Sequence, residues 1–338
     1  MKLAIHNGKG WNIKWIEYCQ RNNIPYIIVN CYDSDIILQL KKMQITHLMW
    51  HFDHNLPKDI LMARNVLYSA AHIGIITFPD YNTCWHFDDK VSQKYLLEAI
   101  KAPIVPSYAF YSKKEALNWL KSDAKYPLVS KLRRGAGSYN VKLIKNIGEA
   151  KKYTKKMFRK GIHPTPGYLA DTKNKLKVAG NFKGIVKRLK KAPNFFKVMS
   201  TSKHGFPKEK GYVYFQNFIP GNTEDIRVVV VENKVWAFKR KVREGDFRAS
   251  GSGMIDYNLK NIPLHLIKTS YEISKKLKTQ SIAFDYVKDA NENYYIVEIS
   301  YGYVGEPIYN CQGYWDENFD FIEKHIWPEY IILNNFIK

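Results

Sequence analysis

Between residues 211 and 253 the chain reads GYVYFQNFIPGNTEDIRVVVVENKVWAFKRKVREGDFRASGSG, and no other stretch limits its possible folds as much. The first run, 212–219, is rich in β-branched and aromatic residues and is closed by the turn pair Pro220-Gly221. A second run, 226–232, predicts a buried strand, and 235–239 predicts its hairpin partner across Asn233-Lys234. The apolar pattern then stops, and Arg240, Lys241, Arg243, Glu244, Asp246 and Arg248 lead into a Gly/Ser segment. Strands that deliver clustered charge to a glycine-rich loop suit a site for phosphate or carboxylate. A solvated hairpin end reads the same way, and this stretch alone does not separate the two.

A chain of 338 residues exceeds the usual single core, so two or three subdomains are expected. Its 45% hydrophobic content is that of a globular protein, not a disordered one. No apolar run approaches the ~20 residues that cross a bilayer, and the N-terminal MKLAIHNGKGW has too short an apolar core for a signal peptide. A cytoplasmic location is therefore expected. Cys19, Cys31, Cys84 and Cys311 show neither a CxxC pair nor metal spacing and read as reduced structural thiols. The formal charge of +22 implies an anionic partner: nucleotide, nucleic acid, phosphorylated carrier or membrane surface.

Residues 1–85 alternate strand-like runs (3–6, 25–30, 46–51, 74–78) with helical segments (12–21, 35–42, about 58–72), which predicts a small parallel α/β domain. Gly8 and Gly10 follow the first strand, but the third glycine of a dinucleotide loop is missing, so a turn before a helix is the reading. After 83–87, Asp88 or Asp89 caps a helix running to residue 100. Lys90 then falls in the first turn, where a cation opposes the helix dipole and points weakly to a nearby anion.

A strand at 103–111 and a helix at 113–121 precede YPLVSKLRRGAGSYNVKLIKN, which predicts paired strands at 128–132, carrying Lys131, and at 141–144. The Arg133-Arg134-Gly135-Ala136-Gly137-Ser138 segment between them is richer in glycine than a tight turn needs. Such a loop brings backbone N–H groups close to phosphates, with cations beside them. It lacks the P-loop spacing and no helix follows it. Residues 161–210 hold twelve Lys/Arg against Asp171 and Glu209, with a short basic helix at 184–191. An anion-binding insertion and a solvated excursion both fit that composition.

A helix at 262–276 leads to strands at 281–287 and 294–300, with Asp285 inside the first and Glu298 inside the second. A carboxylate within an apolar strand needs a partner. Two on neighbouring strands converge on one divalent ion, for which oxygen-only ligands favour Mg²⁺ or Mn²⁺, or else each meets an arginine. Residues 319–338 predict an amphipathic helix packed on the core.

The order of these elements resembles the ATP-grasp superfamily, nearest its RimK-like branch of carboxylate–amine ligases, over about residues 80–305. The segments that carry the likeness are FDDK (87–90), PLVSKLRRGAGS (127–138), YFQNFIPGNTEDIRV (214–228), FKRKVREGDFRASGSG (238–253), FDY (284–286) and VEIS (297–300). FPDYNTCWHFDDK, HGFPKEKGYVYFQ and GYWD also resemble ATP-grasp proteins encoded among bacterial polysaccharide-biosynthesis enzymes. The resemblance implies an α/β (α+β) ATP-grasp fold in three parts. These are an N-terminal pre-ATP-grasp domain (1–85), a small lid subdomain (86–217) holding the 161–210 insertion, and a C-terminal catalytic subdomain (218–338). It implies ATP between two antiparallel sheets, with adenine on the hinge of Gln216, Asn217, Phe218 and Ile219. Lys90 and Lys131 contact the phosphates, and Arg134, Gly135, Gly137 and Ser138 close over them; Asp225 and Lys239 join the nucleotide set. Asp285, Glu298 and Ser300 hold Mg²⁺, while Arg227, Arg240 and Arg248 stabilise an acyl phosphate and the tetrahedral intermediate that follows.

Three residues depart from the family pattern: Ser300 replaces a metal-binding Asn, Asn217 a hinge Glu, and Ser250 an Asn near the acceptor. The implied reaction is ATP-driven amide formation from a small-molecule or sugar-linked carboxylate and an amine. The implied setting is capsule or lipopolysaccharide assembly, with an amino acid or amino sugar joined to a sugar carboxylate. A sugar or polyol kinase with the same fold, and a basic nucleic-acid-binding protein without catalysis, are the rival readings. The last predicts steep salt dependence and leaves the carboxylates within strands unexplained, so no nucleic-acid partner is expected.

Overall fold

The computed structural model describes residues 1–135, 140–164, 206–243, 246–249 and 252–338. The predicted helix at 184–191, Gly137, Ser138 and Ser250 lie outside these residues. Two compact units result: residues 1–87, 96–103 and 221–338 form one, and residues 88–95 and 104–220 the other.

The first unit begins with β1 (Leu3–His6), α1 (Trp11–Arg21), β2 (Tyr26–Val29), α2 (Ile36–Lys42), β3 (His47–Met49), α3 (Pro57–His72) and β4 (Ile76–Phe78). The strands pair in parallel in the order β2-β1-β3-β4, as the strand–helix alternation predicts. The Gly8–Gly10 turn has a packing explanation. Gly10 caps α1 at φ +66°, and a Cβ on Gly8 would stand 2.2 Å from the amide of fully buried Asn12. The short α4 (Tyr81–Cys84) follows, with the Asp80 carboxylate accepting from the Thr83 N–H at 2.8 Å.

The second unit takes its helices and sheet from the middle of the chain: α5 (Lys90–Ala99), of which residues 90–95 belong to this unit and 96–99 to the first, β5 (Ser107–Phe110), α6 (Lys113–Ser122), β6 (Leu128–Lys131), β7 (Val141–Ile144), α7 (Ile147–Arg159) and β8 (Val213–Asn217). Its antiparallel sheet runs β5-β8-β6-β7. Ser112 and Asn146 cap α6 and α7 by accepting from the N–H groups of Glu115 and Glu149. Ala116, Leu120, Ala150 and Met157 from these helices pack on Leu128, Ile144, Val213 and Phe215.

The first unit resumes with β9 (Glu224–Val231), β10 (Lys234–Lys241), β11 (Ile255–Asp256), α8 (Leu264–Leu277), β12 (Ser281–Lys288), β13 (Tyr294–Ser300), α9 (Glu306–Tyr309), β14 (Tyr314–Trp315), β15 (Phe321–Ile322) and α10 (Pro328–Phe336). The sheet order is β13-β12-β9-β10-β14-β15, with β11 against β10. Val229, Val231, Trp236, Phe238 and Ala283 join Leu3, Ile5, Trp11 and Trp15 in one core, so this sheet and the N-terminal segment fold together. The C-terminal segment differs from the predicted continuous helix over 319–338. Phe321–Ile322 pairs with β14 as a strand, and only Pro328–Phe336 is helical. Proline at the first helical position fixes where that helix begins.

Candidate active site

Directly opposed residues in a sheet share a face. Arg227 faces Asp285 across β9 and β12, Asp225 faces Arg240 across β9 and β10, and Asp285 faces Glu298 across β12 and β13. The registry therefore gathers Asp225, Arg227, Arg240, Asp285, Glu298 and Ser300 on one face. A register shift just after Asp285 interrupts the ladder beside the carboxylate pair, and pairing resumes at Tyr286 opposite Ile296.

These charges form one network. Arg227 Nε and Nη2 donate to the two Asp285 oxygens at 2.8 and 2.9 Å. Arg240 Nε and Nη2 donate to Asp225 at 2.8 and 2.6 Å, and Nη2 also lies 2.8 Å from Asp285 Oδ2. Burial alone would push the Asp285 carboxyl up. The two guanidiniums outweigh it and hold Asp285 well below the usual carboxylate range. A guanidinium has five N–H donors; Arg227 spends two here and Arg240 three, its Nη2 serving both Asp225 and Asp285, which leaves unspent donors on each among the described residues. Such donors suit developing negative charge on a phosphoryl or tetrahedral oxygen.

Lys239, the next residue along β10, turns to the opposite face. It opposes Ile226, is buried, and lies 3.4 Å from Glu224 and 3.5 Å from Asp256. The strand's two-residue period separates it from Arg240. Arg248 folds back onto Asp246 at 2.8 Å. Ser300 exchanges hydrogen bonds with the backbone of Gly302.

A cation-lined loop base stands in the second unit. Asp89 Oδ1 accepts from the Ser92 N–H and caps α5, which places buried Lys90 at the first helical position. Lys90 Nζ donates to Gly135 O at 2.7 Å, and the Gly135 N–H donates to Asp88 Oδ1 at 2.8 Å. Gly135 sits at φ +121°, a conformation that favours glycine. Lys131 is buried on β6 opposite Tyr214. Gln216 donates to Ser107 Oγ, and the Asn217 N–H donates to Pro106 O, so the start of the 216–219 segment is tied to the chain entering β5.

Glu209, which the sequence reading counted only as a rare acid, anchors this loop. It is 6% exposed, accepts from Tyr212 Oη at 3.0 Å, and lies 3.9 Å from both Arg133 and Arg134. Tyr212 Oη in turn accepts from the Arg133 N–H at 2.6 Å. The available signal was its position: one of two acids among twelve basic residues in 161–210.

For a divalent cation, Asp285 and Glu298 provide two oxygen ligands in register on one face, the number Mg²⁺ usually takes from protein when phosphates and water complete its shell. The residues fit such an ion if Asp285 shares its oxygens with Arg227 and Arg240. Among the described residues, no group of three His, Cys, Asp or Glu forms a metal cage.

Residues 190–305 match the RimK-like ATP-grasp domain family. A search of curated protein sequences gives no match. Among solved structures, the chain is similar to an L-amino acid ligase from Bacillus licheniformis, with 13% identity, TM-score 0.60, and 100% of this chain and 74% of that one covered. It is similar to a D-cycloserine synthetase at 10% identity and TM-score 0.59, both chains fully covered. A RimK-domain ATP-grasp protein from Sphaerobacter thermophilus matches at 12% identity and TM-score 0.54, over 100% and 99% of the two chains. The chain has the ATP-grasp fold, and its residues 190–305 match the RimK-like ATP-grasp domain family.

Proposed function

We propose that this protein is an ATP- and Mg²⁺-dependent carboxylate–amine ligase that makes an amide through an acyl phosphate. The observation that carries the reading is the Asp225–Arg240–Asp285–Arg227 network beside Glu298 on one sheet face, inside the segment matching the RimK-like family. A carboxylate oxygen attacks the γ-phosphorus of ATP and ADP leaves. An amine nitrogen then attacks the acyl carbon, phosphate leaves, and the amine gives up a proton.

Lys90 and Lys131 bind phosphate oxygens, with Arg134 and Gly135 at the base of the closing loop. Gln216, Asn217, Phe218 and Ile219 receive the adenine. The unspent donors of Arg227 and Arg240 bind the acyl phosphate and then the tetrahedral oxyanion, held in place by Asp225 and Asp285. Asp285 and Glu298 would hold Mg²⁺, which neutralises phosphate charge when bound. We assign the substrates to sugar-acid chemistry of cell-surface polysaccharide assembly, an amino acid or amino sugar being joined to a sugar carboxylate. This assignment rests on the sequence resemblance and the cationic surface.

The test is ADP release measured across a grid of sugar acids and amines, with hydroxylamine as a trap. An acyl hydroxamate and amine-stimulated turnover are expected. A stable phosphorylated sugar with no hydroxamate would establish a kinase instead.

A further inference from the structure

We infer that the pocket between α3, α4 and the turn after α4 binds a sugar carrying one carboxylate or phosphate group. The cavity measures about 480 Å³ and is lined by Arg64, Asn65, Tyr68, Ser69, Tyr81 and Trp85. None of these residues belongs to the ligase site proposed above, and the inference does not depend on that reading.

Charge is the first observation. Arg64 Nη1 donates to Trp85 O at 2.9 Å and Phe87 O at 3.2 Å, and Nη2 donates to Ile60 O at 3.2 Å. Carbonyl dipoles orient the guanidinium without cancelling its charge, and no carboxylate forms an ion pair with it among the described residues. Three of its five donors are spent, which leaves two for a ligand. A guanidinium already fixed by three bonds loses little freedom when an anion arrives. A carboxylate or phosphate supplies the matching geometry.

Shape is the second observation. Tyr68 and Tyr81 are 57% and 50% exposed, although their rings meet at 5.2 Å and 61°. Together they make an aromatic corner instead of a parallel slot. A flat aromatic ligand gains most from stacking on one plane, whereas a puckered sugar ring presents C–H groups to two surfaces at an angle. Asn65 and Ser69 are four residues apart on α3, on the face that carries Tyr68, and offer polar groups to ring hydroxyls. Asn65 Nδ2 donates to Leu61 O, so its carbonyl oxygen remains for a hydroxyl donor.

Ligand-observed NMR titration of the full chain with glucuronate, glucose 1-phosphate, glucose and inorganic phosphate tests this. Glucuronate and glucose 1-phosphate are expected to saturate. Glucose and phosphate alone should bind about tenfold more weakly, each lacking one of the two recognition elements. Tyr81→Ala, at an exposed position, should weaken both charged sugars about fivefold or more. Arg64→Lys should retain part of the preference for charged over neutral sugar, and Arg64→Gln should abolish it. Nucleotide binding measured in the same samples should not change, which separates this site from the ligase reading. Absence of saturation by both charged sugars would overturn the inference. So would charged-sugar binding left intact by Tyr81→Ala and Arg64→Gln, or phosphate alone binding as tightly as glucose 1-phosphate.

Discussion

Arg240 and Arg134 both meet buried carboxylates, yet Arg240 approaches Asp225 to 2.6 Å while Arg134 stands 3.9 Å from Glu209. Arg240 is 9% exposed and shares a second carboxylate with Arg227; Arg134 is 22% exposed. The first cluster sits on central strands whose registry fixes every member. The second sits at the base of a loop and is held by single contacts, with the neighbouring Gly135 backbone accepting from the Lys90 side chain and donating to the Asp88 carboxylate. Rigid donors suit the stabilisation of a reacting oxygen, and loosely tethered cations suit a loop that must rearrange around phosphates. On the proposed reading, the same residue types would serve two physical tasks.

The largest effect should follow from Asp285→Ala. It leaves two guanidiniums facing each other in a buried site, a loss of about 3–5 kcal/mol for breaking a buried pair. Denaturant unfolding should show that loss and ADP release should cease. A cost below about 1 kcal/mol, the range of surface pairs, would erase the distinction between the clusters. Because Asp285 has a depressed folded pKa, its stabilisation is complete above the unfolded value near 4 and is lost as pH falls towards the folded one. Glu298→Ala probes the same face without touching the arginine pairs. Turnover should fall by about a hundredfold or more while the melting temperature holds.

Glu329 shows what a buried carboxylate does without a guanidinium. Burial raises it to about 7, its Oε2 has no partner among the described residues, and its carboxyl lies over Gly305, where a Cβ would come within 2.1 Å. A carboxyl with a raised folded pKa binds more protons folded than unfolded. Stability should then decline as pH rises from about 4.5 through 7, by about 3 kcal/mol. Glu329→Gln should flatten that slope and melt higher than the parent at pH 8. An unchanged profile would mean that the Asp285 arginines are not what separates the two acids.

The strands and the Asp285–Glu298 pairing were legible because period-2 patterning and a carboxylate in an apolar run survive in any context. The split between Arg240 and Lys239 was less so. The sequence puts both cations at one strand end and its two-residue period sends them to opposite faces, but only the registry shows which of the two faces Asp225. The arginine pairing of Asp285 was one of two readings of a buried acid, and distances decide that it exists. The role of Glu209 was hidden for another reason, with only its rarity among basic residues to mark it. It acts through Tyr212 and the Arg133 backbone across 76 or more positions of sequence, and no local spacing encodes such a contact. The break in the C-terminal helix was marked by Pro328, whose effect a purely periodic reading passes over.

The smallest effect is expected at Glu209, and it is the most discriminating. Glu209→Gln keeps an oxygen for the Tyr212 hydroxyl and removes only the charge facing Arg133 and Arg134. Long, partly exposed ion pairs contribute about 1 kcal/mol or less, so the KM for ATP should change less than about fivefold and kcat should hold. Glu209→Ala also removes the acceptor for Tyr212, and with it the bond chain to the Arg133 backbone. Its KM shift should exceed that of the glutamine variant, again with kcat little changed. Steady-state kinetics with ATP varied at saturating acceptors measures both. If Glu209→Gln stopped turnover as Asp285→Ala does, the loop-base cations would be as rigidly required as the strand cations. The proposed contrast between a tethered phosphate loop and a fixed oxyanion site would then fail.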